Sequence, residues 1–369
     1  MKQITLERLR CVATDDVGRD EIRIEVYGDG ELDFAARRVM DDGDDWPVDG
    51  ATVFDRSCTI RLFEEDLAFP GDNEDALGLI EIEPADVERG TATFAPDGGA
   101  HYTLTYSVAE RSDLEGTDLA DRAAELFERS TLGGLWQAID KSSLLANVRQ
   151  RRQRAETIDQ ETSNFCGPTS IAHELARTQP RRYVELCRQL YETGGFWSRT
   201  KRVEADARLR ADAVGQGMEP ADWMLIATMR NSENTVFKVE SDATGLMSGL
   251  QGMTFPWEIK GWAKEILMKD DVDIDVCAVF GELDAIKRAQ EVYDQGGSVF
   301  ILLNMAVLKK GEPTIPPFPD HWVVFRGNLD LSDADRRVGF DVYTWGRVMP
   351  LDLSRKRFER SIFCTVTAL

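Results

Sequence analysis

Apolar and polar residues alternate in short runs through the first hundred positions, at residues 22–27, 59–63, 79–82 and 102–106. A period of two turns one face of each run to a core and the other to water. Asp- and Gly-rich turns separate the runs, so residues 1–111 are predicted to form an all-β sandwich. The period then lengthens. Residues 118–127 carry a helical stripe and 144–154 end in a basic run, which predicts a helical connector over 112–158 whose charges form a wet face. From 159 to 369 helices come first. Ile171, Leu175 and Ala176 share a helix face, residues 183–191 repeat the pattern, and Pro220 opens a helix running to about 230. Strands follow. Residues 299–305 form an apolar, β-branched run expected at the centre of a sheet, and residues 321–327 and 338–346 read as two further strands. The fold class is α+β: a helical half packed on an antiparallel sheet half, preceded by the sandwich.

Composition narrows the function classes. A chain of 369 residues is long enough for two or three domains. Its net charge of −22 argues against nucleic acid as a partner. Roughly 17 of those excess negative charges fall before residue 114, clustered in the turns of the sandwich. The start has no cationic segment followed by an apolar one, and no apolar stretch reaches spanning length, so the expectation is a soluble, leaderless protein made in the cytoplasm. Six scattered cysteines (Cys11, Cys58, Cys166, Cys187, Cys277, Cys364) form neither a zinc motif nor a disulfide framework and suit a reducing compartment.

One of these cysteines stands out. Cys166 is followed at once by Gly167 and Pro168, which puts it where a helix begins. The positive end of the helix dipole favours a thiolate there, and the thiolate is the reactive form. Only three histidines exist to act as its base. His101 lies in the acidic sandwich. His173 stands two turns up the same helix, roughly 10 Å along its axis, too far for direct proton transfer. His321 remains, at the mouth of a β-branched strand and entered through the proline-rich segment 316–319. It is expected to take the Cys166 proton, hold a thiolate–imidazolium pair, and later protonate the leaving group. Asp341, in the next strand, is the first choice to orient His321, with a Cys–His dyad as the alternative. Asp222, Trp223 and Arg230 are candidates to line the cleft, without an assigned mechanism.

These blocks resemble the papain-like cysteine peptidase superfamily. His321-x-Val323-Val324-x-x-Gly327 is followed by a strand ending Thr344-Trp345-Gly346, where the family has Asn-Ser-Trp-Gly, and the Cys-to-His separation is close to the family's. The family pattern puts its Asn at Tyr343. Cys166-Gly167-Pro168-Thr169-Ser170 is also similar to bacterial double-glycine-leader peptidases and to Cys–His domains of secreted toxins. The resemblance covers two separated blocks. It implies Gln160, six residues before Cys166, as the oxyanion-hole glutamine, with Asn164 as a substitute. It implies a thiol hydrolase acting on an amide: a protease or a peptidoglycan amidase or endopeptidase, with protein, peptide or peptidoglycan as substrate and no catalytic cofactor. Deamidase and transglutaminase chemistry are alternatives on the same machinery. It also implies a secreted bacterial effector, exported without a leader and matched by an immunity protein.

Two sandwich loops resemble those of the calcium-dependent, phospholipid-binding β-sandwich of protein kinase C and synaptotagmin. The resemblance implies Ca²⁺ held by Asp15 and Asp20 from one loop and by Glu64, Asp66 and Asp75 from the other, an all-oxygen set suited to a hard cation. It departs in having Glu64 where the family has Asp and in a longer second loop. A calcium-dependent membrane contact would follow. The non-catalytic alternative joins such a module to an inactive papain-like fold.

Overall fold

The alternation of the first hundred residues closes into two antiparallel sheets in the computed structural model. It describes the chain except for residues 15–18, 30, 66–73, 84–87, 97–98, 112–118, 131–132, 162–164, 213, 216, 237–253, 277–281, 310–317 and 334, with backbone alone at 31, 32, 65, 74, 75, 233–236 and 282. The strands are β1 (Lys2–Ala13), β2 (Asp20–Gly28), β3 (Glu31–Met40), β4 (Asp45–Phe54), β5 (Cys58–Glu65), β6 (Glu74–Ile82), β7 (Arg89–Phe94) and β8 (His101–Glu110). One sheet has the order β4-β1-β8-β7, the other β3-β2-β5-β6. Ile4, Leu6, Leu9 and Leu104 of the first sheet share one core with Ile22, Ile24, Ile60 and Leu62 of the second. This is the expected sandwich, its inward positions filled at a period of two.

The chain divides into two compact units, Met1–Leu135 with Val184–Trp197, and Trp136–Tyr183 with Ser198–Leu369. These limits differ from the expected ones because residues distant in sequence come together within each unit. In the first unit Phe127 of α1 (Leu119–Arg129) packs its ring 5.8 Å from Tyr191. The later part of α4 (Pro180–Thr193) and β9 (Gly195–Trp197) join the sandwich through cations on rings. Arg23 lies 3.3 Å from the Trp197 ring centre and Arg188 lies 5.3 Å from that of Phe34. The second unit holds α2 (Lys141–Gln153), whose Arg151 forms a buried ion pair with Asp222. The expected wet connector is therefore split, and one of its basic residues is internal.

The rest of the second unit consists of α3 (Cys166–Thr178), β10 (Arg202–Glu204), α5 (Ala207–Ala211), α6 (Pro220–Val236), α7 (Pro256–Glu265) and α8 (Glu282–Asp294) around a six-stranded sheet. Its strands are β11 (Val272–Val276), β12 (Ser298–Leu303), β13 (His321–Phe325), β14 (Arg337–Thr344), β15 (Arg347–Ser354) and β16 (Ile362–Ala368), in the order β11-β16-β12-β13-β14-β15, every pair antiparallel. Helix α9 (Arg355–Ser361) links the last two. Strand β12 is buried throughout and lies third, as its unbroken apolar run predicts. Ala285, Ile286 and Ala289 of α8 cover one face with Ile301, Val323 and Phe325. Helix α3 meets β14 on the other, where His173 stacks on Tyr343. No described helix is long and apolar enough to cross a membrane.

Ile301 is fully buried in the central strand of this unit. Ile301→Ala is expected to lower stability by about 3 kcal/mol, through lost transfer energy and the cavity left behind. Urea unfolding checks this as a drop in midpoint with an unchanged slope.

Candidate functional site

Cys166 is the first residue of α3, and Pro168 sits in the first turn, where its missing N–H costs nothing. Gly167 is required there because the Thr254 side chain fills the space a Cβ would take. Thr254 is held in turn by the Trp322 indole, which donates to its carbonyl at 2.7 Å. The backbone N–H of Trp322 faces the Cys166 sulfur, alongside those of Gly167 and Cys166 itself. The helix start carrying the cysteine thus abuts the strand that opens with His321. Cys166 is 7% exposed. Burial pushes its thiol up; the three N–H groups and the Arg230 guanidinium pull the other way.

His321 is buried at the head of β13, and its Nε2 lies 2.7 Å from the Thr344 hydroxyl. Strand register explains that partner. Val324 pairs with Tyr343 and Phe325 with Val342, so positions of opposite parity share a face across the two strands. His321 therefore shares a face with Thr344, while Asp341 turns to the opposite face with Tyr343. Asp341, expected to orient the imidazole, instead accepts from the Asn328 amide at 2.6 Å. Tyr343, where the family pattern has Asn, stacks on His173 at 3.5 Å and donates its hydroxyl to the Ile158 carbonyl. Among the described residues, no partner engages His321 Nδ1, and no hydrogen bond joins it to Cys166. Burial, and then the nearby Lys309, bring the His321 pKa down to about 3. At rest this environment favours a neutral thiol and a neutral imidazole over the expected ion pair.

The segment leading into Cys166 is tied down at several points. His173 is fully buried, and its Nδ1 lies 3.1 Å from the Ala155 carbonyl. Asp222 accepts the backbone N–H of Asp159 at 3.2 Å and is gripped by Arg151, whose Nε and terminal nitrogen both reach its carboxylate. Gln160, the next residue, is buried beside these anchors. Asn164 lies outside the described residues. Of the suggested cleft residues, Asp222 is an internal anchor, Trp223 packs its ring 6.5 Å from Phe165, and Arg230 bears on the cysteine.

Trp345 and Gly346 form the two-residue turn between β14 and β15, with φ of 48° and 68°. Such a turn usually carries Asn-Gly; a tryptophan in the left-handed region is strained and needs holding by its surroundings. The Trp345 ring lies 5.0 Å from that of His321, and the Lys309 ammonium lies 5.6 Å from the indole centre. A Cβ on Gly346 would come within 2.8 Å of Asp159 Oδ2. The three blocks singled out in the sequence, around residues 160–176, 321–327 and 344–346, therefore meet. Thr344 was missed because its contact with His321 depends on β13 register, and Arg151 because its partner is 71 positions away.

In the first unit the positions suggested for calcium fall partly within view. Asp15 and Asp66 lie outside the described residues, and only the backbone of Asp75 is described. Glu64 pairs with Asp75 across β5 and β6 and with Ile22 across β5 and β2, so Asp20, Glu64 and Asp75 gather at one end of one sheet. Asp20 and Glu64 are buried, and Asp20 accepts the Tyr102 hydroxyl. Among the described residues no group of three or more metal-ligating side chains forms.

No family model matches the chain. Histidinol-phosphate aminotransferases of Halobacterium salinarum strains R1 and NRC-1 are each 32% identical over 117 residues, 29% of this chain. The chain covers about a third (32%) of their length. Among solved structures, a C2 domain gives a TM-score of 0.25 at 15% identity, covering 30% of this chain and all (100%) of that one. A fragment of extended synaptotagmin 2, made of its SMP domain and a tandem pair of C2 domains, gives 0.23 at 16%, covering 36% of this chain and 31% of that one. A human GIVD cytosolic phospholipase A2 gives 0.21 at 10%, covering 30% and 17%. Scores this low carry no argument about the present chain, whose sandwich rests on its own strand pairing.

The buried histidines set an acid dependence. Burial lowers His173 to about 4 and His321 to about 3, so on acidification the unfolded chain takes up protons first, near pH 6.5. Their contribution is complete above that pH and falls as pH drops toward 4, by roughly 1.4 kcal/mol per pH unit per histidine. His173→Gln, which cannot titrate, is expected to narrow the stability gap between about pH 7 and pH 5 by about 2 kcal/mol. Urea unfolding of both proteins at the two pH values measures it.

Proposed function

We propose that the second unit is a cysteine-dependent amide hydrolase using Cys166 and His321. The observation that carries this reading is the meeting of the Cys166 helix start with the Trp322 N–H, one residue from a buried histidine held through Nε2 by Thr344. A hydroxyl accepting from Nε2–H leaves the Nδ1 lone pair as the base, so Thr344 takes the orienting role and fixes the tautomer. As the sulfur attacks a carbonyl carbon, its proton passes to Nδ1. The oxyanion forms beside the Cys166 N–H, and the buried Gln160 amide is the candidate second donor. Collapse expels the amine, which takes the proton from the imidazolium and leaves a thioester. Water, deprotonated by the same nitrogen, hydrolyses that ester and restores the thiol. Peptide, protein and peptidoglycan amides all fit this chemistry, and transfer to an amine instead of water would make the protein a transglutaminase.

A second activity is proposed for the first unit. Asp20, Glu64 and Asp75 gather at one sheet end, and with Asp15 and Asp66, which lie outside the described residues, they would make an all-oxygen donor set fit for Ca²⁺. The cation would offset charge at the acidic end and permit contact with an anionic membrane.

Two measurements test these readings. Iodoacetamide at mildly alkaline pH is expected to label Cys166 well ahead of the buried Cys187, with His321→Gln slowing the Cys166 reaction by roughly a hundredfold. Equal, slow labelling of both cysteines would leave the unit a non-catalytic fold. For the first unit, millimolar calcium is expected to raise the melting temperature. An unchanged Tm removes the calcium reading.

A further inference from the structure

Charge around the candidate site runs against the rest of the protein. The chain carries −22 overall, yet the charge bearing on His321 is that of Lys309, and Arg230 bears on the Cys166 sulfur. Lys309 is exposed and reaches over the Trp345 indole, whose other neighbour is the His321 ring. Among the described residues its ammonium makes no ion pair within 4 Å; Asp320, whose carboxylate feels the Lys309 charge, accepts the Met305 N–H at 2.6 Å. Trp345 stands in the left-handed region at a turn where Asn would be relaxed, so the chain keeps a strained aromatic at this place. The ring supports an ammonium beside the base, where it faces solvent.

We infer that Lys309, carried on Trp345 next to His321, is a specificity-determining residue that draws an anionic substrate, an amide with a carboxylate close to the scissile bond, to the Cys166–His321 site. This rests on the thiol-hydrolase reading. An acidic peptide is the substrate class it selects. A cation in a site surrounded by a strongly negative protein concentrates the few anions whose geometry fits and leaves neutral amides unaided.

The charge preference is measurable before any substrate is known. Iodoacetate and iodoacetamide form the same S–C bond and expel the same iodide; one is anionic and the other neutral. Their rates at Cys166 are compared at low salt by mass spectrometry of the modified peptide, in the wild type, Lys309→Gln, Lys309→Glu and the control Lys287→Gln, whose ammonium lies 3.7 Å from Asp284. The iodoacetate-to-iodoacetamide ratio is expected to fall about tenfold in Lys309→Gln and further in Lys309→Glu. The iodoacetamide rate should hold, and Lys287→Gln should match the wild type. Molar salt should bring the wild-type ratio toward that of Lys309→Gln. A ratio unchanged in both Lys309 variants overturns the inference and leaves the hydrolase reading standing. So does an equal fall in both rates, which would mean that Lys309 acts on the nucleophile. Failure of iodoacetamide to label wild-type Cys166 ahead of Cys187 overturns the hydrolase reading and this inference with it.

Discussion

The pairing of Val324 with Tyr343 decides what His321 can do. In an antiparallel ladder side chains alternate between faces, so this register gives His321 the Thr344 hydroxyl and gives α3 the Tyr343 ring. A slip of one residue would exchange them, setting Asp341 and Tyr343 on the histidine's face and Thr344 against the helix. Both faces of the sheet are buried here, and Val323, Phe325 and Val342 fix the register through a core that tolerates no such exchange. The arrangement of the candidate site is thus held by ordinary hydrophobic packing one strand away.

A second constraint works from beneath. Residues 158–160 form no helix or strand, Ile158 and Gln160 are buried, and buried backbone must have its polar groups satisfied. Tyr343 takes the Ile158 carbonyl, His173 the Ala155 carbonyl, and Asp222 the Asp159 N–H. Asp222 is internal and is compensated by a two-pronged Arg151. A buried pair of this kind adds little net stability over an apolar replacement, while breaking it leaves an uncompensated charge. Its evident effect is geometric: it fixes the backbone that delivers Gln160 and Cys166.

Electrostatics gives the site its resting character. The thiol and the imidazole are both pushed toward their neutral forms by burial, and a hydroxyl adds less bias toward the imidazolium than a carboxylate would. Catalysis on this plan moves the proton during attack, with the N–H groups at the helix start receiving the charge that develops. The cations nearby sit in a protein whose acidity is concentrated in the other unit, so they act on what approaches the site more than on global stability.

Much of this was written in the chain itself. The period-two runs of the sandwich, the unbroken apolar strand β12, and the helix opened by Gly167 and Pro168 follow from local burial patterns and backbone chemistry, which neighbouring residues alone control. The proposal of Cys166 and His321 as a pair came from the helix start and a short count of histidines. Tertiary structure decided what no local pattern encodes. The register of β13 on β14 replaced Asp341 by Thr344, because a face assignment flips with a one-residue shift. Burial turned Arg151 from a wet basic residue into an anchor for Asp222, since its partner lies on a distant helix. Residues 184–197 belong to the first unit, where Trp197 meets Arg23 and Arg188 meets Phe34; these contacts join side chains from far-apart stretches, and only folding sets the distance between them.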